Sequence, residues 1–199
     1  MQTMDLTARI NQQFEESGRL KLALADLLSE RIAASAEIIV EAFLKEKKVL
    51  ACGNGPGAAD AQYFSACMLN HFEMERPGLA AISLNADSTT LTSIAKFDNY
   101  DHVFSKQVLA LGQEGDVLMV ISISGDSSNI LNAIKAAKER NMKVIAFSGG
   151  DGGLLVELLE EQDIHLGVPD HSPARIQEAY VLILHCLCDA IDCLLLGVN

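Results

Sequence analysis

The segment Asp116–Ser122, DVLMVIS, is continuously apolar through its middle and runs straight into S-I-S-G-D-S-S-N and a helix-favouring stretch. An uninterrupted apolar run, unlike an alternating one, implies a strand covered on both faces. The same pattern recurs in VLAC within Lys48–Cys52, AAISL at Ala80–Leu84, VIAF at Val144–Phe147 and IHLGV at Ile164–Val168. The intervening stretches 57–72, 88–95, 102–111, 127–139, 151–159 and 171–195 read as helices. Strands alternating with helices predict βαβ units. The expected fold is α/β: a three-layer αβα sandwich with a five-stranded, mainly parallel sheet.

Two helices are expected before the first strand. The first spans residues 4–23, with Leu6, Ile10, Phe14 and Leu20 spaced along it; the second spans 24–46, with a stripe of Leu27, Ile32, Ile38, Ile39 and Phe43. They need a surface to cover, either the sheet or helices of another subunit, so an oligomer is expected. The chain divides into a helical capping or oligomerisation segment, 1–46, and an α/β core, 47–199, within a single domain over 1–199.

Composition narrows the function. A length of 199 residues is too short for a two-domain dinucleotide dehydrogenase. The net charge of -12 opposes binding to nucleic acid or an anionic membrane, although one small phosphate in a local pocket is compatible with it. No apolar run is expected to approach the ~18 residues of a membrane span. The polar start MQTMDLTARINQQFEE is unlike a signal peptide, so a cytoplasmic protein is expected. The five cysteines are odd in number and sit in apolar surroundings, which predicts buried free thiols, with Cys186 and Cys188 packed in the core on different sides of one helix.

Ligands of such a sheet sit beyond the carboxyl ends of the strands. Three loops lie there. Cys52-Gly53-Asn54-Gly55-Pro56-Gly57-Ala58-Ala59-Asp60 matches G-x-G-x-x-A, but a dinucleotide fingerprint needs an acidic residue ending the next strand, where Ser83, Leu84 and Asn85 stand. Either a ligand loop or a tight turn for close helix packing fits. The second loop, Ser122–Asn129, offers Ser122, Ser124 and Ser127 as hydroxyl donors beside the free N–H groups of a helix start, a setting suited to phosphate. Asp126 would repel an anion unless its carboxylate turns away, and the alternative role of Ser124 or Ser127 is that of a helix cap alone. The third, Ser148–Gly153, is a glycine-rich turn. The five histidines are scattered, and neither H-E-x-x-H nor C-x-x-C is present. Cys67, four residues beyond Tyr63 on one helix face, is open to a core, ligand or base role. Leu195 and Leu196 are candidates for a partner contact, or for closing the core or a subunit seam.

The loops G-N-G-x-x-A-x-D-A-Q and S-x-S-G-x-S-x-N, with GNGPGAADAQYFSACMLNHFEMERPGL, FSKQVLALGQEGDVLMVISISGDS and PARIQEAYVLILHCLCDAID, resemble the sugar isomerase (SIS) domain family, in its phosphoheptose isomerase branch. That branch also holds the replication-initiator-associating protein DiaA. The resemblance implies a homotetramer with sugar-phosphate sites between subunits, and a serine loop holding the phosphate of a seven-carbon sugar. Asn54, Ser122, Ser124, Ser127 and Gln177 match the family's phosphosugar-binding residues, and His185 its acid/base and metal ligand. Tyr63 stands where the enzymes have a histidine ligand, Cys67 where they have the essential glutamate, and Lys96-Phe97 where they have Asn-Asp.

Those departures lead to the expectation of a phosphosugar-binding protein with weak or no isomerase activity. Its role would be regulatory, like that of DiaA, with the replication initiator DnaA as partner. The alternative is an active isomerase converting sedoheptulose 7-phosphate to D-glycero-D-manno-heptose 7-phosphate through a rearranged centre. Its catalytic pair would be His185 and Cys67. No cofactor is required for binding; zinc would be held by Cys67, His185 and, as a weak third ligand, Gln177.

Overall fold

The computed structural model describes residues 5–198, so the expected segment ends at residues 1–4 and 199 lie outside it. The sheet has five parallel strands in the order β2-β1-β3-β4-β5: β1 (Val49–Gly53), β2 (Ala81–Ser83), β3 (Val117–Ile121), β4 (Lys143–Gly149) and β5 (Ile164–Val168). The helices are α1 (Leu6–Leu44), α2 (Pro56–Leu69), α3 (Ser88–Phe97), α4 (Ser105–Leu111), α5 (Ser128–Glu139), α6 (Gly153–Glu157) and α7 (Pro173–Leu196). Successive strand residues point to opposite faces. Val49, Ala51, Val117, Met119, Ile121, Ile145 and Phe147 join a core with α1, α2 and α7. Leu50, Cys52, Leu118, Val120, Val144 and Ala146 join a second core with α4 and α5. Both faces are dry, which is why the strands read as unbroken apolar runs.

The amino-terminal region departs from expectation. Residues 6–44 form one helix of 39 residues, not two. Its only interruption is Gly18, and a glycine in a helix interior costs only about 1 kcal/mol relative to alanine. Asp5 caps it, its carboxylate accepting from the Ala8 amide at 3.0 Å. Leu24, Leu28, Ala36, Ile39 and Val40 form its buried face, whereas Leu27 is 56% exposed and Leu6, Ile10 and Phe14 also face outward. The buried stripe is one position out of phase with the expected one at Leu27.

α1 packs along α7. By length and composition α7 is apolar enough to cross a membrane, contrary to the expectation that no run would be. It is a core helix here: Ile176, Ala179, Tyr180, Ile183, Leu184, Leu187 and Ile191 are buried. It also carries Asp192, which accepts from Arg76 Nε at 2.5 Å in a pair shielded from solvent. The same guanidinium donates to the carbonyls of Cys67 and Met68 at 3.0 Å, so the end of α2 is tied to α7. Cys52, Cys67 and Cys188 are buried free thiols, but Cys186 is exposed. Positions two apart on a helix lie on nearly opposite sides, so only one of Cys186 and Cys188 can face the core.

Candidate functional site

With strand order 2-1-3-4-5, the chain turns in opposite directions after β1 and β3, and a crevice opens between their carboxyl ends. The glycine loop sits on one lip. A Cβ on Gly53 would lie 2.5 Å from the Gly57 carbonyl carbon, and one on Gly57 only 2.7 Å from the Ile121 carbonyl oxygen. These glycines let α2 seat directly on the end of β3, which favours the close-packing reading of the motif over the dinucleotide one. Asn85, following β2, locks the loop from the other side: it accepts from the Gly53 amide at 3.1 Å and donates to the Gly53 carbonyl at 2.9 Å.

Across the crevice, Asn54 and Asn129 exchange amide hydrogen bonds at 2.8 and 2.9 Å. This reciprocal pair joins the glycine loop to the first turn of α5. Ser127 occupies the N-cap position of α5, but its hydroxyl makes no capping bond. Ser122 Oγ accepts from the Gly125 amide and Ser124 Oγ from the Asp126 amide, both at 3.2 Å. Asp126 turns away from the α5 start and accepts from the Leu154 amide at 2.9 Å, capping α6 instead. Gly125 has φ +74°, and a Cβ there would meet the Gly152 carbonyl oxygen at 1.9 Å. The serine loop and the glycine turn after β4 are therefore interlocked. The carboxylate that would oppose an anion is held outside the turn, and the α5 amides with the Ser127 hydroxyl form a neutral donor nest.

The other wall of the site is the seam between α2 and α7. Gln177 Nε2 donates to both carboxylate oxygens of Asp60, at 2.8 and 2.7 Å. Asp60 is 5% exposed. Burial pushes its carboxyl above the usual aspartate range, and the Gln177 bond only partly opposes this. Gln177 Oε1 is buried with no hydrogen-bond partner among the described residues. One turn further along α2, Tyr63 Oη lies 3.0 Å from His185 Nε2, and the Phe72 ring packs 5.5 Å from the imidazole. Burial, with Cys67 alongside, pushes the Tyr63 phenol up to about 12. Beyond that, Cys67 meets Cys188, whose thiol burial also raises.

The three expected zinc donors lie along this one seam. Gln177 lies about two turns, or ~12 Å, before His185 on α7, and its amide is committed to Asp60. One imidazole nitrogen of His185 faces a phenol, and Cys67 is buried against a second thiol. Among the described residues no group of three or more His, Cys, Asp or Glu is placed to hold a metal. At the carboxyl end of α7, Leu195 packs against the core and Leu196 is 42% exposed, so of the two partner-contact candidates only Leu196 is presented outward.

Sequence reasoning passed over Asp60, Asn85 and Asn129. Asp60 carried a readable signal, an acid one turn into the helix that follows a strand-end glycine loop. The two asparagines became informative only through their partners.

A SIS domain model matches residues 12–149. The chain belongs to the SIS domain family, in its phosphoheptose isomerase branch. It is 57% identical over 196 residues to the phosphoheptose isomerase of Aromatoleum aromaticum, covering 98% of this chain and 99% of that one. Among solved structures, a phosphoheptose isomerase from Francisella tularensis superposes with a TM-score of 0.92 at 46% identity, covering 95% of this chain and 99% of that one. Phosphoheptose isomerase GmhA from Neisseria gonorrhoeae gives 0.89 at 45% identity, covering 94% and 98%.

Proposed function

We propose that this SIS-domain chain is a phosphoheptose isomerase, interconverting ketose and aldose forms of a seven-carbon sugar phosphate such as sedoheptulose 7-phosphate. The observation that carries the reading is the serine loop: its one carboxylate caps α6, and the free Ser127 hydroxyl sits at the start of α5. The phosphate monoester binds there, between the Ser122–Ser127 loop and Asn54. The sugar chain then extends along the α2–α7 seam toward His185. The Tyr63–His185 pair is placed to hold a proton near the sugar oxygens. The relationship to proteins named phosphoheptose isomerase supports this reading over the regulator without activity.

A homotetramer belongs to the same proposal. Leu6, Ile10 and Phe14 stand exposed along the first turns of α1, an apolar edge that subunit contacts would cover. Five free cysteines accord with the reducing cytoplasm.

A second reading has one observation in its favour: Cys67 and Tyr63 make the centre unlike a metal site. In it the chain binds the phosphosugar and signals to the replication initiator DnaA, with Leu196 in the contact. Incubation of the purified protein with sedoheptulose 7-phosphate separates the two. Aldose formation at about 1 per second or faster, an ordinary enzyme rate, is expected. Saturable binding with no aldose formed, together with initiator capture that is lost in Leu196→Ala, would establish the second reading instead.

A further inference from the structure

Beneath the glycine turn after β4 lies a buried polar pair. Ser148 on β4 is fully buried, and a buried hydroxyl needs a partner. Its oxygen lies 2.6 Å from Nε2 of His165 on the neighbouring edge strand β5. Two glycines make the seat for the imidazole. A Cβ on Gly167 would meet its Cε1 at 2.7 Å, and one on Gly152 would meet Cε1 at 3.3 Å and the Ser148 oxygen at 3.2 Å. Gly152, with φ +90°, therefore sits directly on the pair. Its carbonyl oxygen is in turn the atom on which Gly125 of the serine loop packs. The Gly125 carbonyl accepts from the Leu155 amide at 3.0 Å, and the Ile123 carbonyl from the Gly149 amide at 2.9 Å. The position of the serine loop is thus set, contact by contact, by the ring below the turn.

The same ring reaches solvent. His165 is half-buried and lines a cavity of about 450 Å³ between α1 and β5, with Glu30 and Arg31 from the helix and Glu160, Glu161 and Asp163 from the turn before the strand. Arg31 donates to the His165 carbonyl at 3.1 Å. Asp163 is committed to Lys138 and to the amides of Val144 and Glu160, and Glu160 also faces Lys138 at 3.4 Å. Asp151 in the glycine turn and Glu157 on α6 are exposed. Propping up a turn does not require such a pair, since two apolar side chains would do it with no hydroxyl to satisfy. An imidazole adds a site that gains a proton within a mild pH range. Burial first, and then the Arg31 charge, holds this ring below the ordinary histidine range, so it is neutral at pH 7.5.

We infer that His165 is a positioning residue for the phosphate site: through Ser148 and the glycine turn its neutral ring holds the Ser122–Ser127 loop in the shape that binds an anion, and protonation of the ring releases that hold. This rests on the phosphosugar reading above. In the neutral state Nε2 accepts the Ser148 hydroxyl hydrogen and Nδ1 carries the ring proton. A second proton goes to Nε2, after which both ring nitrogens are donors. Ser148 makes no other side-chain hydrogen bond among the described residues, so its hydrogen is left without an acceptor in a place sealed from water. A cation is also added beside Arg31. Both costs are relieved when the ring withdraws toward the cavity and its acidic wall, and Gly152 and Gly125 then lose the support beneath them. The hold is complete above the ordinary histidine value of about 6.5 and is lost as the pH falls through the lower folded value.

The test is the Kd of sedoheptulose 7-phosphate, measured by calorimetry at pH 7.5 and pH 5.0 on wild type and on His165→Gln, whose amide oxygen accepts the Ser148 hydroxyl at either pH. The sugar phosphate itself loses charge over this range, with a second ionisation at about 6, but it does so for both proteins alike, and their difference isolates the ring. Wild type should lose about 5–10-fold more affinity on acidification than His165→Gln, the equivalent of one hydrogen bond. His165→Phe, which fills the seat without an acceptor, should bind weakly already at pH 7.5, and His165→Gln should recover part of that loss. If His165→Gln does not fold, Ser148→Ala reads the same quantity: with the hydroxyl gone the ring is uncoupled from the turn, and the extra acid loss should disappear. Equal acid losses in wild type and in the variant would overturn the assignment. A wild type that binds no sugar phosphate at pH 7.5 would remove the phosphosugar reading and this one with it, and is recognisable before any variant is made.

Discussion

Two polar pairs tie elements together on different walls of the site and solve the same packing problem differently. Asn54 and Asn129 are neutral, reciprocal and satisfied. Asp60 and Gln177 are charged on one side, bonded one way, and leave an acceptor stranded. The first pair holds the serine loop against the glycine loop, and nothing in its chemistry suits it to move a proton. The second holds α2 against α7 less well than two amides would. The difference sets a satisfied pair beside an unsatisfied one within a few residues, and it can be tested from both sides.

The most severe way to break the contrast is Gln177→Leu, which removes the only hydrogen-bond partner of the Asp60 side chain among the described residues. At pH 7.5 the loss should be about 2–3 kcal/mol, because a hydrogen bond to a charged group disappears and the carboxylate stays buried. The penalty depends on pH with a definite sign. The Asp60 carboxyl is raised in the folded protein, so the folded state binds its proton more tightly than the unfolded chain does. Stability then falls as pH rises through the window between the ordinary aspartate value and the higher folded one. The Gln177→Leu deficit should therefore shrink as the pH is lowered into that window, and denaturant melts across it will show whether it does. A deficit independent of pH would mean that lost packing, not the unpaired buried charge, dominates.

Asn129→Asp approaches from the other side by copying the second pair into the first. The Asn54 carbonyl loses its donor, which should lower stability by about 1–3 kcal/mol. The new carboxylate also faces the serine loop, so the rise in melting temperature produced by saturating inorganic phosphate should fall or vanish. A variant that retains the full phosphate response would place the anion elsewhere than at the start of α5.

Much of this contrast was hidden in the sequence, for reasons that differ by element. The strands were legible because burial on both faces writes itself as an apolar run, and DVLMVIS could hardly be anything else. The long α1 was legible as helix but not as one piece, since Gly18 and a polar stretch look like a break until the small penalty of one glycine is weighed against the helix on either side. Ser127 stood out because hydroxyls at a helix start have few uses. Asp60 did not: a single acid in GPGAADAQ is ordinary until its neighbours show that, among the described residues, it meets an amide and no cation. Partner geometry is non-local, and Gln177 lies on the far end of the chain. The zinc expectation depends on the same non-local information. Residue types on α2 and α7 were right for a ligand set, but the depth of each along its helix was not visible.

The smallest effect is the most specific. Ser127→Ala removes a hydroxyl that makes no capping bond, so stability should change by less than about 0.5 kcal/mol, as for a surface position without a special role. If that hydroxyl is free because it awaits a phosphate oxygen, affinity for sedoheptulose 7-phosphate should fall about 5–10-fold, the equivalent of one hydrogen bond. Calorimetric titration on a variant of unchanged melting temperature measures the two quantities separately. Loss of stability with unchanged affinity would return Ser127 to the role of an ordinary helix cap. The Asn54–Asn129 bridge would then be scaffold for a turn that binds nothing.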